Sequence, residues 1–281
     1  MKKIAVLADV HGNYTALKAV LAEIAKEKVN TTWFLGDLLL PGPGGDELFQ
    51  LLNEAQVKTY IKGNWEDCVL AALQGEISLA DPSDIYLAKM VATLYPQLSH
   101  ANQTRLQQLP FSAIKEVEGL RIGLFHGGPE KNYGGALFPT QAQANFDDLC
   151  RDDSLDIVLT AHSHQQFMRY SSQGQVIINP GTVGQPFIHW SGFKKDFCGQ
   201  YALVTVHEKQ IRAVEFKKVA YDPAEEVARA KKVNFPFSDL YEDFFVNDRV
   251  YTHDAEVLRQ HPHYAEYVED VKKFLKDYGK K

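Results

Sequence analysis

Seven residues of types that bind metal ions occur in five short groups along the chain. The groups are Asp9 and His11 in ADVHGN, Asp37 in LGD, Asn64 in KGN, His126 in FHGG, and His162 and His164 in AHSH. They offer oxygen and imidazole nitrogen ligands but no thiolate, which favours Mn, Fe or Zn over a structural cysteine-type zinc site. Seven ligands exceed the needs of one ion. With one shared carboxylate they fit two ions about 3.5–4 Å apart, an arrangement that hydrolyses phosphate esters.

Each group alone is a weak signal. A histidine at a strand end is more often an ordinary core or surface residue, and Asn64 after Gly63 is a natural turn residue. The joint pattern is more specific, because all five groups lie at or just beyond predicted strand ends, where α/β sheets build their sites. Side chains two apart on an extended stretch point the same way. We therefore expect Asp9 and His11 to face one cavity, and the two histidines of AHSH likewise.

The apolar runs in the sequence predict the strands and helices that must position these residues. KKIAVLADV, TTWFLGD and VKTYIKG are strand-like and alternate with two helical stretches, which predicts parallel strands with right-handed crossovers. Residues 66 to about 109 read mostly as helix, and a hairpin is predicted to turn near Gly119. Five more strand-like runs follow, from DIVLTAH to IRAVEFKKVAY. This order predicts two β-sheets packed face to face, with helices outside.

The tail of the chain is predicted to be helical from about residue 222. Apolar residues recur at three- and four-residue spacing over 264–278, which predicts a helix docked on the protein's own surface. A dimer contact and a lid over the site are the alternatives. We therefore expect a domain of residues 1–220 and a helical C-terminal extension, residues 221–281, packed on that domain.

The bulk composition is that of an ordinary soluble globular protein. The 281 residues are 45% apolar and 23% charged, and the net charge of −6 gives no global attraction to nucleic acid or acidic membranes. The three cysteines form no Cys-x-x-Cys pair, which suits a reducing cytosol. No run approaches the ~20 apolar residues of a membrane span. We expect a cytoplasmic monomer or homodimer with no stable nucleic-acid partner and no membrane partner.

The order Asp-x-His, Gly-Asp, Gly-Asn, His-Gly, His-x-His resembles the signature of calcineurin-like metallophosphoesterases. HGNYTAL, GDLLLPGP and NPGTVGQP are similar to small bacterial and archaeal phosphodiesterases, and the Gly-Asn-Trp form resembles bacterial enzymes that split diadenosine tetraphosphate asymmetrically. The resemblance implies an α/β fold, a four-layer α-β-β-α sandwich with two mixed sheets. It also implies a dinuclear metal-dependent hydrolase of phosphodiester or phosphoanhydride bonds in small-molecule phosphoesters or nucleotides. Dinucleoside polyphosphates are the leading candidates.

The resemblance also assigns roles to the seven residues. It implies that one metal ion is held by Asp9, His11, Asp37 and His164, and a second by Asp37, Asn64, His126 and His162, with Asp37 bridging. A hydroxide held between the ions would be the nucleophile and would attack the phosphate in line. AHSH departs from the usual Gly-His-Thr-His of the family only in small residues, so both histidines are kept.

Trp65 is the main departure from the family pattern. The family has a histidine after Gly-Asn that orients the phosphate and protonates the leaving oxygen, whereas an indole does not titrate in the relevant range. General acid help is worth ~100- to 10,000-fold, but a terminal phosphate with a second pKa near ~6 can leave without a proton. We therefore predict a phosphodiesterase or nucleotide pyrophosphohydrolase that is poor on alkyl phosphomonoesters and on phosphoserine.

Several residues are candidates for substrate contacts. They are Trp65, which could stack on a nucleobase, Asn13 beside His11, Tyr133 in the glycine-rich GGPEKNYGG, and His189, Lys194 and Lys195 after NPGTVGQP. The simpler alternatives are a Trp65 packed beneath its loop, a flexible glycine-rich connection and a solvated pair of lysines.

Two rival functions follow from the same sequence. A non-catalytic interaction protein on this fold is one, but such relatives usually lose or alter metal ligands, whereas all seven positions are filled here. A protein Ser/Thr phosphatase is the other, and Trp65 disfavours it.

Overall fold

The computed structural model describes residues 1–187, 190 and 192–278. Its strands are β1 (Lys2–Leu7), β2 (Thr31–Phe34), β3 (Thr59–Tyr60), β4 (Ser112–Val117), β5 (Leu120–Phe125), β6 (Ile157–Leu159), β7 (Gln166–Tyr170), β8 (Val176–Pro180), β9 (Cys198–His207) and β10 (Gln210–Ala220). Its helices are α1 (Tyr14–Lys26), α2 (Asp46–Glu54), α3 (Asn64–Gln74), α4 (Pro82–Leu94), α5 (His100–Gln108), α6 (Gln143–Asp147), α7 (Pro223–Lys232), α8 (Ser238–Asn247), α9 (Ala255–Gln260) and α10 (Tyr264–Tyr278). None of these helices is both long enough and apolar enough to cross a membrane.

The strands form two mixed five-stranded sheets. The first has the order β10-β9-β1-β2-β3, in which β1, β2 and β3 are parallel and β9 is antiparallel to both of its neighbours, β1 and β10. The second has the order β4-β5-β6-β8-β7, with a parallel centre of β5, β6 and β8 between two antiparallel edge strands. The parallel first three strands and the hairpin at Gly119 are as the sequence predicted.

Apolar side chains on both faces of each sheet divide the molecule into four layers. Along β1, Ile4 and Val6 face the second sheet, while Ala5 and Leu7 face α1. The layer between the sheets is filled from both sides, and burying one such branched side chain is worth about 1.5–3 kcal/mol. The outer face of the second sheet is covered around Phe146 of α6. The α-β-β-α sandwich expected from the sequence is confirmed.

The C-terminal helices pack against helices from the first half of the chain. The buried carboxylate of Glu226 in α7 accepts hydrogen bonds from the Thr15 N–H (2.9 Å) and hydroxyl (2.7 Å) in the first turn of α1, where a negative charge is favoured by the helix dipole. Val271 of α10 is buried against Ile85 and Ala88 of α4. The apolar side of α10 is therefore packed against another helix of the same chain.

Candidate metal centre and substrate cleft

The structure brings the seven candidate metal ligands together at the carboxyl ends of parallel strands. They follow β1, β2, β3, β5 and β6 directly or within a few residues. Five of them have a positive φ between 53° and 61°, namely Asp9, His11, Asp37, His162 and His164. The extended backbone predicted for these stretches is therefore wrong, because left-handed residues orient these side chains. Such conformations are uncommon outside glycine and persist where the surrounding structure enforces them, often at functional sites.

The ligand atoms form two adjacent clusters. The Asp9 cluster comprises Asp9, His11 and His164, the Asp37 cluster comprises Asp37, His126 and His162, and within each the ligand atoms lie within 4.8 Å of one another. Asp37 Oδ2 is 3.2 Å from His126 Nε2 and 3.6 Å from His11 Nε2, so this oxygen stands between the two clusters. Asn64 Oδ1 is 3.0 Å from His126 Nε2. Two ligands each ~2.1 Å from one ion lie roughly 3–3.5 Å apart, which matches these spacings.

Backbone carbonyls fix the orientation of three of the histidine rings. Nδ1 lies 2.9 Å from the Leu40 carbonyl in His11, 2.8 Å from the Leu35 carbonyl in His126 and 2.5 Å from the Gln185 carbonyl in His164. A carbonyl can only accept, so each Nδ1 donates and each Nε2 is directed at the clusters. His11 Nε2 and His164 Nε2 are only 3.0 Å apart. Two nitrogen lone pairs at this distance require a proton or a cation between them.

Both aspartates are buried, and the carboxylate of Asp9 has no hydrogen-bond partner among the described residues. Burial raises the pKa of Asp9 well above its usual range; His126 opposes this shift and Asp37 adds to it. Burial also raises the pKa of Asp37, but the nearby His126 and His11 outweigh this effect, so the net shift of the Asp37 pKa is downward. Because an uncompensated buried carboxylate is costly, this donor set fits bound metal cations.

The first turn of α3 holds Asp37 in place. The Trp65 N–H donates to Asp37 Oδ1 (2.8 Å), and the buried Glu66 carboxylate accepts from the N–H groups of Asp37 (2.8 Å), Leu38 (2.7 Å) and Gly63 (2.7 Å). Burial and the charge of Asp37 raise the pKa of Glu66 to about 7. Sequence reasoning missed Glu66, although its place three residues after Gly63 at a helix start is a capping-box position.

A cleft of about 260 Å³ opens beside the two clusters. Its lining outside the candidate ligands consists of Trp65, Phe138, Ser163, Gln185, Pro186, Phe187, Val250, Thr252 and His253. Trp65 is half-buried and meets the His11 ring edge to face, with centroids 5.7 Å apart. It therefore both packs on a candidate ligand and borders the cleft. The rings of Phe138 and Phe187 lie 5.7 Å apart, and sequence reasoning had singled out neither.

The other predicted substrate contacts lie elsewhere. Asn13 is fully buried, and its side chain caps α1 by accepting from the Ala16 N–H (2.9 Å) and donates to the Gly184 carbonyl (3.3 Å). Tyr133 borders a separate cavity of about 170 Å³, with the Lys131 ammonium 4.2 Å from its ring centroid. Neither residue borders the cleft beside the clusters.

The three candidate substrate contacts that follow NPGTVGQP differ in their surroundings. Lys195 is almost fully buried and forms an ion pair with Asp248, and burial lowers its pKa to about 8. Lys194 is exposed. His189 lies outside the described residues.

Two adjacent Asp/His clusters lie at the strand ends of a four-layer sandwich, the arrangement that the sequence predicted for a metallophosphoesterase fold. A sequence profile described as the calcineurin-like phosphoesterase superfamily domain matches residues 1–209. The chain therefore belongs to this superfamily.

One relative by sequence and two solved structures are similar to this chain. An uncharacterized protein of Methanocaldococcus jannaschii is 26% identical over 235 residues, which are 78% of this chain and 88% of the relative. The crystal structure of a hypothetical protein from Pyrococcus horikoshii OT3 aligns with a TM-score of 0.69 and 21% identity, over 84% of this chain and 95% of that chain. A metallophosphoesterase from Sphaerobacter thermophilus aligns with a TM-score of 0.60 and 24% identity, over 84% and 96%.

Proposed function

We propose that this protein is a dinuclear metal-dependent hydrolase of phosphodiester or phosphoanhydride bonds. The position of Asp37 Oδ2 between the clusters, 3.2 Å from His126 Nε2 and 3.6 Å from His11 Nε2, is the observation that carries the proposal. One ion would be held by Asp9, His11, Asp37 and His164, and the other by Asp37, Asn64, His126 and His162. Bound divalent ions supply Lewis acidity and lower the pKa of water.

The chain's own residues prepare this chemistry. The carbonyl partners of His11, His126 and His164 hold the rings in one tautomer, so little reorganisation is needed when phosphate arrives. Glu66 fixes the backbone that presents Asp37. We propose Asp37 and Asn64 as catalytic residues; both border the open cleft, as do the candidate ligands His162 and His164.

The best substrate class is a nucleotide with a good leaving group. Residue 65 is an indole and cannot protonate a departing oxygen, which disfavours alkyl phosphomonoesters and favours polyphosphate or aryl leaving groups. Trp65, Phe138 and Phe187 give the cleft aromatic walls, and stacking of a base on such a ring is worth ~1–3 kcal/mol. Both features support dinucleoside polyphosphates, with diadenosine tetraphosphate as the first candidate.

A side-by-side assay of the protein with added Mn tests this function. We expect hydrolysis of a dinucleoside tetraphosphate and an aryl phosphodiester, with far slower release from a phosphoserine peptide. Asp37→Asn should lower turnover of both good substrates by at least ~100-fold, because the shared ligand is lost. Equal rates on the phosphoserine peptide and the dinucleotide would contradict the substrate class. Near-zero bound Mn, Fe or Zn and no turnover with added metal would instead support a non-catalytic interaction protein.

A further inference from the structure

The loop between α8 and α9, residues 248–254, reaches the cleft from the C-terminal extension. Val250, Thr252 and His253 border the same cleft as Asn64 and Trp65. The loop lies beyond residue 209, where the match to the superfamily domain ends. One side of the candidate substrate site is therefore formed by a segment outside the matched domain.

The start of this 248–254 loop is tied to the body of the protein. Asp248 forms an ion pair with Lys195, whose side chain is 5% exposed, and the Lys195 ammonium lies 4.6 Å from the centroid of the Phe244 ring. The Tyr251 hydroxyl donates to the Asp243 carboxylate in α8. These contacts fix the loop where it leaves α8.

The end of the loop is fixed as well. The Asp254 N–H donates to the Tyr251 carbonyl (2.9 Å), and the Asp254 carboxylate caps α9 by accepting from the Val257 N–H (3.1 Å). Thr252 and His253 stand in the turn between these two anchors. A loop backbone held in this way loses less conformational entropy when the loop binds a ligand.

The polar chemistry of the loop suits a phosphate group. Outside the candidate metal ligands, the described polar residues bordering the cleft are Ser163, Gln185, Thr252 and His253, and none is a carboxylate. The Thr252 hydroxyl and the His253 imidazole can both donate hydrogen bonds to phosphate oxygens. Neither residue belongs to the Asp9 or the Asp37 cluster, so both are available to a part of the substrate that the metal centre does not hold.

We propose that Thr252 and His253 form the subsite for the leaving phosphate of a nucleotide phosphoanhydride. The inference rests on the proposed function. In the hydrolysis, the oxygen of water joins the reacting phosphorus and the bond from that phosphorus to the bridging oxygen breaks. The electron pair stays with the departing phosphate, and one proton passes to solvent. The subsite stabilises the negative charge that grows on the departing phosphate, next to an indole at residue 65 that cannot protonate it.

The test compares two substrates on the full-length, metal-loaded protein. A dinucleoside tetraphosphate carries the leaving phosphates, whereas bis(4-nitrophenyl) phosphate has none. The double variant Thr252→Val with His253→Ala should lower kcat/KM for the dinucleotide ~10-fold or more, because hydrogen bonds to a charged group are lost. Its kcat/KM for the aryl diester should stay unchanged. His253→Arg should retain most of the dinucleotide activity, because it keeps a hydrogen-bond donor.

His263→Ala is the matched control. His263 is an exposed histidine of the same extension that does not border the cleft, and its loss should leave both substrates unaffected. An equal loss on both substrates in the double variant would overturn the subsite, as would no loss on either. A wild-type protein that cleaves the aryl diester but not the dinucleotide would overturn it too. A fully metal-loaded wild type that cleaves neither substrate would refute the proposed function itself.

Discussion

In the family pattern, one histidine at the position of residue 65 has a backbone role and also donates a proton. Trp65 keeps the backbone role but cannot donate the proton. Its N–H keeps Asp37 in place through a backbone hydrogen bond of 2.8 Å, and its ring meets His11 edge to face. The backbone role is open to any residue type, whereas proton donation is not. Substitution at residue 65 can therefore change leaving-group preference while the candidate ligands remain.

Trp65→His should restore a proton donor beside the leaving oxygen. We expect its kcat/KM for an alkyl phosphomonoester to rise by ~100-fold or more, relative to its kcat/KM for an aryl diester. Trp65→Phe is the control, because it keeps an aromatic wall without a titratable group. An unchanged monoester-to-diester ratio, with metal content intact, would show that residue 65 does not limit the leaving group.

At the scale of elements, the first turn of α3 and the loop after β2 approach each other closely. A Cβ at Gly63 would lie 2.0 Å from Asp37 Oδ1 and 2.6 Å from the Asp37 backbone nitrogen. No side chain fits there unless the carboxylate moves. Gly75, at the opposite end of α3, is instead required by its left-handed backbone (φ 82°).

Gly63→Ala and Gly75→Ala therefore form a matched pair on one helix. Gly63→Ala should displace the Asp37 carboxylate and remove most bound metal and activity. Gly75→Ala should lower the free energy of unfolding by ~1–2 kcal/mol, the cost of the left-handed conformation, with metal content and kcat unchanged. Metal analysis, turnover and thermal unfolding check both variants. Full metal occupancy in Gly63→Ala would contradict the close-contact argument.

The sequence predicted elements well where local signals agree with the fold. The apolar runs of β1 and β2 and the hairpin at Gly119 are examples, because burial and turn chemistry there point to the same structure. The left-handed backbone at Asp9 and His162 could not be predicted, since local preference opposes it and only tertiary packing enforces it. The approach of Thr252 to the cleft likewise depends on how the extension docks, which no local pattern encodes.

Considered as a whole, the candidate metal centre joins the two sheets. Asp9 and Asp37 follow strands of the first sheet, while His126 and His162 follow strands of the second. Ligands from both sheets would share the bound ions. Metal binding should therefore stabilise the packed sandwich in addition to enabling catalysis.

Removal of metal should lower the thermal stability of the protein. An ion present at 100 times its Kd stabilises the folded state by ~2.7 kcal/mol, so adding Mn to chelator-treated protein should raise Tm by about 5 °C or more. Thermal unfolding with and without Mn measures the shift. Asp37→Asn should show a much smaller response, because the ligand shared by both clusters is gone. An equal shift in this variant would contradict the shared role of Asp37.

The reach of the 248–254 loop into the cleft has a consequence for how this protein can diversify. The candidate metal ligands all precede residue 209, and part of the cleft is formed some forty residues later. Substitutions in the 248–254 loop should therefore change which ligands the cleft accepts while the candidate metal ligands stay the same. Grafting a different tail onto the same sandwich would be a modular route to a new specificity.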